Sequence, residues 1–196
     1  MRHNVPGRPS PLQQIPQTAK LAFEGRLFGV YQWEQLLFNG TTTVFEALRR
    51  PDTAYVIPVL ADGTLLVAWQ RQPPAVKRVY GLIGGRIEDG ESPSAAAIRE
   101  LREEAGLVAN ELTPWEAFQF LPRLDWAIYT FIARGCVTMP ASQDAGEDIE
   151  LVKVSFEDLL ELAASEEFVD VEVALRLLRI AASPAKRRLA RALFSP

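Results

Sequence analysis

The order of predicted elements indicates a mixed β-sheet covered by helices, a fold of the α/β or α+β type. Three observations support this class: β-prone segments dominate the first third of the chain, one strong amphipathic helix lies near the middle, and helical segments fill the end. The chain has 196 residues, of which 48% are hydrophobic and 23% are charged. This length fits one domain with a small extension.

The N-terminal part of the chain predicts two units before the main domain. Residues 1–20 are rich in Pro and Gln and predict a flexible arm. Residues 21–52 predict a small β segment, because Asn39-Gly40 separates two β-prone runs and is a strong hairpin signal. Residues 53–196 then form the main domain with its C-terminal helices.

A second hairpin is predicted over residues 54–69. The nearly continuous apolar run at 54–60 is followed by Asp62-Gly63 as a turn and by a returning run at 64–69. The apolar content of both runs is typical of a sheet that is covered on both faces.

The helix predicted at 92–105 has clear start and stop signals. Ser92 can act as the N-cap, Pro93 suits the first helical position, and Gly106 is a typical C-terminal stop. The remaining segments are weaker in signal. We predict further strands at 115–121, 127–133 and 148–154, and helices at 156–164, 169–182 and 185–193.

Composition excludes several chemistries. The chain has a single cysteine, Cys136, and a single histidine, His3, so a triad with histidine or a histidine-rich zinc site is not expected. The net charge of −4 argues against a nucleic-acid partner. No apolar stretch approaches the ~18 residues of a membrane span and no signal-peptide pattern is present, so we expect a cytoplasmic protein with no membrane partner.

Three carboxylates in the predicted helix are candidates for catalysis. Glu100, Glu103 and Glu104 share one helix face, because side chains three and four positions apart are neighbours. The alternative is a solvated acidic face, the usual meaning of such a run. The position near the helix C-terminus, where negative charge is disfavoured, and the preceding Gly84-Gly85 favour a functional site. Carboxylate oxygens are ligands that Mg²⁺ prefers.

The stretch 85–107 resembles the signature of the Nudix hydrolase family. That signature is G-x5-E-x7-R-E-U-x-E-E-x-G-U, where U is a bulky aliphatic residue. Every position of it is matched here, by Gly85, Glu91, Arg99, Glu100, Leu101, Glu103, Glu104, Gly106 and Leu107.

The resemblance implies a fold, a reaction and site roles. The fold would be a Nudix-like α/β/α sandwich with a mixed β-sheet, and the reaction would be hydrolysis of a nucleoside diphosphate linked to another group. Glu100 and Glu104 would be the principal ligands of Mg²⁺, or of Mn²⁺, with Glu103 assisting and the carbonyl of Gly84 as a backbone ligand. Glu91 and Arg99 would form a structural ion pair.

The flanking residues resemble the ADP-ribose and nucleotide-sugar pyrophosphatase branch of this family. The similarity rests on the segment 45–59, on Gln70 with Pro73-Pro74, on Pro122 at fifteen residues beyond Leu107, and on the acidic run 147–150 before a strand. This branch implies a homodimer formed through N-terminal strands, and substrate contacts from aromatic and arginine side chains. The substrate-binding candidates are Phe28, Trp33, Phe45, Arg49, Arg50, Arg71 and Pro122.

This chain departs from the branch at three places. Ile83-Gly84-Gly85 stands where Pro-Ala-Gly is usual, and Gln72 stands where an arginine is common, with Arg71 beside it. Ala145 aligns with the branch's catalytic base, which leaves Asp144 and Glu147 as candidates for that role.

Several alternatives remain for function. The substrate could be another dinucleotide or a nucleoside triphosphate. A non-catalytic Nudix domain that regulates a partner would be expected to have a degenerate signature. An interaction protein would use the basic tail residues Lys186, Arg187, Arg188 and Arg191, although a solvated helix end is the simpler interpretation.

Overall fold

A computed structural model describes residues 7–139 and 148–196 of the chain. Its strands are β1 (Lys20–Glu24), β2 (Gly29–Leu36), β3 (Thr42–Arg49), β4 (Thr53–Pro58), β5 (Leu65–Arg71), β6 (Val79–Gly81), β7 (Ile83–Arg86), β8 (Leu107–Val108), β9 (Glu111–Gln119), β10 (Leu124–Asp125), β11 (Ala127–Arg134), β12 (Val137–Thr138) and β13 (Asp148–Val154). Its helices are α1 (Pro93–Ala105), α2 (Phe156–Leu162), α3 (Val171–Ala181) and α4 (Pro184–Leu193).

The N-terminal strands form a four-stranded sheet of order β1-β2-β3-β10. The hairpin predicted around Asn39-Gly40 is confirmed, because β2 and β3 pair antiparallel up to Leu36 and Thr42. Gly40 takes φ +84° in the turn, a conformation that favours glycine. The parallel partner β10 comes from the main domain, so the sheet crosses the boundary expected at residue 52.

The predicted hairpin over 54–69 is confirmed at its turn and wrong in its pairing. Thr64 donates its backbone N–H to Asp62 at the turn, and Val59 bridges Leu65. Beyond that bridge the two strands separate: β4 lies in a sheet of order β7-β4-β11-β9, whereas β5 lies in one of order β13-β5-β6. Strand β4 pairs with β11, and β5 pairs with β13. Local patterning does not specify this choice of partners.

Strand β4 lies between two hydrophobic cores. Ile57 and Val59 on one face join a cluster that includes residues of α2, α3 and α4, whereas Ala54 and Val56 on the other face join a cluster that includes residues of α1. Because successive strand residues point to opposite faces, the sheet is covered by helices on both sides. The predicted α/β/α sandwich with a mixed sheet is confirmed.

Helix α1 begins and ends as its sequence predicts. The Ser92 hydroxyl accepts the backbone N–H of Ala95 at 3.2 Å. Gly106 takes φ +60°, and its N–H is hydrogen-bonded to the carbonyl of Arg102. This helix places Glu100 and Glu104 of the signature against strand β7.

The C-terminal helices match their predictions, with α2 and α3 shorter than predicted and α4 beginning one residue earlier. Helix α3 begins at Val171 rather than Val169, because the Val169 N–H donates to the carbonyl of Tyr80 and Phe168 bridges the same residue. No helix in the described part of the chain is long and apolar enough to cross a membrane.

The segment before β1 is attached to the main domain through Arg8. Its guanidinium lies 2.8 Å from Asp52 and 2.7 Å from Asp125. Gln119 also donates its side-chain amide to the carbonyl of Pro9. Residues 7–19 contain no helix or strand, and the flexible arm over 1–20 stays a prediction.

Candidate active site

Helix α1 presents its carboxylates to strand β7. Glu100 and Glu104 are buried, at 9% and 4% exposure, whereas the Glu103 side chain is 44% exposed. Glu104 accepts the backbone N–H of Gly84 at 2.8 Å. Buried carboxylates cost free energy unless they are hydrogen-bonded or bind a cation, so this face differs from a solvated acidic surface.

The two glycines before the helix allow unusually close contacts. A Cβ atom on Gly85 would lie 2.3 Å from Oε1 of Glu100, and one on Gly84 would lie 2.3 Å from the carbonyl oxygen of Ala54. Gly84 also takes φ +151°. The missing side chains therefore let the β7 backbone approach both the helix carboxylates and strand β4.

Arg99 is the cation among these acidic groups. Its guanidinium pairs with Glu91 at 3.1 Å, with Glu100 at 2.8 Å and with Glu103 at 3.1 Å. It also donates to the carbonyl of Arg86 at 2.9 Å. The hydrogen bonds that Arg99 donates to Glu91 lower the pKa of Glu91. The same hydrogen bonds raise the pKa of Arg99, and those to Glu100 and Glu103 add to this rise against the lowering effect of burial.

The donor set at this site fits a hard divalent cation. Glu100, Glu103, Glu104 and the carbonyl of Gly84 offer oxygen ligands alone, and the space kept open by Gly85 is one that a side chain would fill. Within residues 7–139 and 148–196, no three acidic, histidine or cysteine side chains are arranged to hold an ion. Two of the carboxylates point instead at Arg99, so an ion entering the site would compete with that guanidinium.

A cleft of about 1340 Å³ joins these carboxylates to a basic rim. This volume can hold a ligand larger than a nucleotide. Besides Gly84, Gly85 and the three glutamates, its lining includes Arg26, Arg50, Thr53, Tyr55, Gln70, Arg71, Arg86, Trp126, Asp170 and Glu172.

Arg50 is held between aromatic rings inside the cleft. Its guanidinium carbon lies 4.4 Å from the centroid of Trp126 and 5.9 Å from that of Phe28. Trp126 is fixed in turn, because its indole N–H donates to the hydroxyl of Thr53 at 2.9 Å. Burial lowers the pKa of Arg50, and the negative charge of Glu172 opposes that shift. The arginine stays a cation presented to the cleft.

A buried acidic pair lies beside Arg50. The Tyr55 hydroxyl is 2.9 Å from a carboxylate oxygen of Asp170 and 2.9 Å from one of Glu172. The other Asp170 oxygen accepts the backbone N–H of Leu82 at 2.6 Å. Burial raises the pKa of Asp170 to about 7, and the charge of Glu172 adds to this, against the lowering effect of the hydrogen bonds.

Comparison with known proteins identifies the family of the chain. A family model described as the NUDIX domain matches residues 49–177, and these include the whole site described above except Arg26 and Phe28.

The chain belongs to the Nudix family.

Individual relatives agree with this family. The chain is 30% identical over 155 residues to the ADP-ribose pyrophosphatase of Bacillus subtilis (strain 168), a match that covers 78% of this chain and 84% of the relative. It is 26% identical over 151 residues to the methanol dehydrogenase activator of Bacillus methanolicus, covering 76% of this chain and 82% of that protein. The crystal structure of an ADP compounds hydrolase matches 87% of this chain and 94% of its own with a TM-score of 0.68 and 25% identity.

The predicted Nudix hydrolase of the ADP-ribose pyrophosphatase type is therefore confirmed. The Nudix stretch 85–107 runs from β7 through α1 to β8, and within it Arg99 contacts Glu91, Glu100 and Glu103. The individual roles of these residues stay proposals.

The structure places some substrate-binding candidates in the Nudix cleft and others elsewhere. Arg50 and Arg71 line it, and Phe28 contacts it through Arg50. Arg71 is paired with Asp148 at 2.7 Å, at the start of β13. The other candidates lie outside the cleft of the single chain, and they are Trp33, Phe45, Arg49 and Pro122.

Those outside residues have local partners. Arg49 pairs with Asp125 at 2.8 Å and stacks on Tyr31. Trp33 packs edge-on against Phe45, with ring centroids 6.0 Å apart. Pro122 is exposed. The candidates Asp144 and Glu147 lie outside the described residues.

The cleft residues that sequence reasoning missed include Tyr55, Trp126, Asp170 and Glu172. A signal existed for the last two, because acidic residues alternate with apolar ones between Phe168 and Val173. Such a pattern puts carboxylates next to a core and is unusual for a solvated segment. Nothing local distinguished Tyr55 or Trp126 from other core aromatic residues.

Asp170 is expected to make stability depend on pH. Its pKa is raised from 3.8 to about 7 in the folded protein, so between these values the folded state holds a proton that the unfolded state has released. The contribution of Asp170 to the free energy of unfolding is therefore fully present below about pH 4, and it is lost as the pH rises towards 7.

The variant Asp170→Asn removes this titration. We expect the free energy of unfolding of the native protein, relative to the variant, to fall by on the order of 1–4 kcal/mol between pH 4.5 and 8. Urea unfolding at a series of pH values measures it. A difference that is constant with pH would mean that Asp170 is ionised throughout.

Proposed function

We propose that the chain hydrolyses the pyrophosphate bond of ADP-ribose or a related nucleotide sugar, yielding a nucleoside monophosphate and a sugar phosphate. The observation that supports this best is the cleft in which the acidic face of α1 meets Arg50, Arg71 and Arg86. The arginines can neutralise part of the negative charge of a pyrophosphate, and the carboxylates of α1 can hold the metal cation that assists its hydrolysis. The similarity to an ADP-ribose pyrophosphatase supports the same substrate class.

The cofactor in this proposal is Mg²⁺, with Mn²⁺ as the alternative ion. Glu100, Glu103, Glu104 and the Gly84 carbonyl would hold it. When bound, Mg²⁺ supplies neutralisation of the pyrophosphate charge and lowers the pKa of water for attack. In the same site the Gly84 N–H holds Glu104 in place, and Arg99 together with Glu91 holds the loop that precedes α1.

The cationic side chains of the rim would orient the substrate. Arg50 is preorganised by Trp126, which lowers the entropy lost when it binds a phosphate. Arg71 is half-exposed and paired with Asp148, so it can exchange that partner for a phosphate oxygen. Glu147 and Asp144 remain the candidates for the catalytic base, and both lie in the segment before β13.

Two further parts of the proposal concern the assembly and its location. We propose a homodimer formed through the N-terminal strands, since the five residues of β1 are exposed and Phe23 is 63% exposed. Size-exclusion chromatography with light scattering measures the assembly, and a monomer would contradict it. We further propose that the protein acts in the cytoplasm on small molecules, with no nucleic-acid or membrane partner.

A substrate panel tests the reaction. Purified protein with Mg²⁺ or Mn²⁺ is incubated with ADP-ribose, GDP-mannose, NADH, diadenosine polyphosphates and dNTPs. We expect AMP and ribose 5-phosphate from ADP-ribose, or the equivalent pair from another nucleotide sugar, resolved by chromatography and phosphate assay.

The panel also separates the alternatives. Release of pyrophosphate from dNTPs alone, or cleavage of dinucleotides alone, would reassign the substrate within the family. Absence of turnover with every compound and both ions would contradict the enzymatic proposal and favour a regulatory Nudix domain.

A further inference from the structure

The cleft contains a second group of polar side chains besides the α1 glutamates. Tyr55 connects the two, because its ring packs against Gly84 while its hydroxyl contacts both Asp170 and Glu172. A phenol has one proton, so it can donate to only one of these two carboxyl groups. In the described part of the chain, Tyr55 is the only hydrogen-bond partner of Glu172. The pair therefore has acceptor capacity that the protein leaves unused.

Two neighbouring atoms lack partners as well. Among the described residues, Nε of Arg50 and Oε1 of Gln70 are buried and make no hydrogen bond. Both side chains line the same cleft as Asp170 and Glu172. A buried polar atom without a partner costs free energy, and it is rare enough in folded proteins to require an explanation. A ligand in the cleft that offers both an acceptor and a donor would supply the partners that these two atoms lack.

The donors and acceptors here match hydroxyl groups better than a nucleobase. Asp170, Glu172 and Gln70 offer oxygen acceptors, and Arg50 offers a donor. A hydroxyl both donates and accepts, so neighbouring hydroxyls can bond to a carboxylate and a guanidinium together. A base would need a free aromatic face for stacking, and one face of the Trp126 ring that lines the cleft is already occupied by Arg50 at 4.4 Å.

We propose that Glu172 and Asp170, with Nε of Arg50 and Oε1 of Gln70, form the subsite that binds the hydroxyls of the sugar beyond the pyrophosphate, while the terminal nitrogens of Arg50 are left for the phosphate. Glu172 is then a specificity-determining residue, which distinguishes a glycosyl group from a smaller or less polar one. This inference rests on the proposed hydrolysis of a nucleotide sugar, and it assigns the end of the cleft that recognises the sugar. Asp170 also positions strand β7 through Leu82, so Glu172 is the residue to vary.

The native protein alone provides the first test. ADP-ribose is compared with the β-methyl ester of ADP, which keeps the nucleotide and the pyrophosphate but has a methyl group in place of the terminal ribose. We expect KM to be about tenfold lower or more for ADP-ribose, since hydrogen bonds to charged groups contribute roughly that much to affinity. Equal KM values for the two compounds would overturn the subsite.

The variant Glu172→Gln provides the second test, with Glu166→Gln on the exposed loop before α3 as its matched control. We expect Glu172→Gln to raise KM for ADP-ribose by about tenfold, with kcat changed less than about threefold and KM for the methyl ester unchanged. Glu172→Asp keeps the charge and should recover part of the loss. A parallel rise in KM for both compounds would indicate a structural role and contradict the assignment.

Calorimetric binding separates failure of this inference from failure of the proposed reaction. ADP-ribose and the methyl ester are titrated into the native protein and into Glu172→Gln with chelator present, so that no turnover is required. Tighter binding of ADP-ribose by the native protein, lost in the variant, supports the subsite even if neither compound is hydrolysed. Equal affinities in the native protein would overturn it even if both compounds are hydrolysed.

Discussion

Replacing Glu104 by Gln is expected to reduce kcat/KM for the best nucleotide sugar by on the order of 10²-fold or more, with the fold retained. Glu104 is 4% exposed and accepts the Gly84 N–H, and an amide of the same shape can keep that hydrogen bond. What the substitution removes is a negative charge in a site where charge is shielded from water. The concentration of Mg²⁺ required for half-maximal rate should rise in the same variant.

The control for this variant is Glu166→Gln, which makes the same chemical change at an exposed position. Its rate and Mg²⁺ dependence should match those of the native protein. Thermal unfolding of both variants tests whether the fold is retained. Full activity in Glu104→Gln with native Mg²⁺ dependence would refute the assignment of Glu104 as a metal ligand.

The second large effect is expected on stability, from Gly84→Ala. The added methyl group would lie 2.3 Å from the Ala54 carbonyl oxygen and 2.8 Å from the Tyr55 Cα, both of them backbone atoms of β4 that cannot rotate away. The φ of +151° is also strained for any residue with a Cβ. We expect the free energy of unfolding to fall by roughly 3 kcal/mol or more.

The matched control for this effect is Gly90→Ala. Gly90 also has a positive φ, at +79°, but a Cβ there would meet no atom within 4 Å. Its substitution should cost only the backbone strain, about 1–2 kcal/mol. Urea unfolding of the two variants measures the difference. Equal losses would mean that strand β7 moves to accept the methyl group, and that the close approach of Gly84 to β4 is not required.

The features that sequence patterning predicted are local ones. Helix α1 has its caps, its apolar face and its acidic face within fifteen consecutive residues, and all three follow from helical periodicity. The β2–β3 hairpin follows from Asn39-Gly40 in the same way. The family signature is local too, since its nine defined positions lie between residues 85 and 107.

Features that depend on distant segments were predicted less well. Strand β4 pairs with β7 and β11 instead of β5, although β5 follows it along the chain. The periodicity of an apolar run shows that a strand is buried, but it says nothing about which strand lies beside it. The wrong extended hairpin over 54–69 has this origin.

Arg49 and Arg50 show the same distinction at single residues. Sequence made both candidates for phosphate binding, and neighbouring positions of an extended chain point to opposite sides. Arg49 turns to Asp125 and Tyr31, whereas Arg50 turns into the cleft against Trp126. The direction of each arginine side chain depends on the parallel pairing of β3 with β10, which joins residues more than seventy positions apart.

The amino-acid sequence alone specifies the family, the reaction class and the acidic helix, because each of these is encoded within one short segment. Long-range packing specifies the rest of the cleft. Tyr55 lies in β4, Trp126 directly before β11, Asp170 at the N-cap of α3 and Glu172 in its first turn, and the four meet only when the sheet and helices assemble. Substrate recognition belongs to these residues in our proposal, so it depends on contacts that no local pattern encodes.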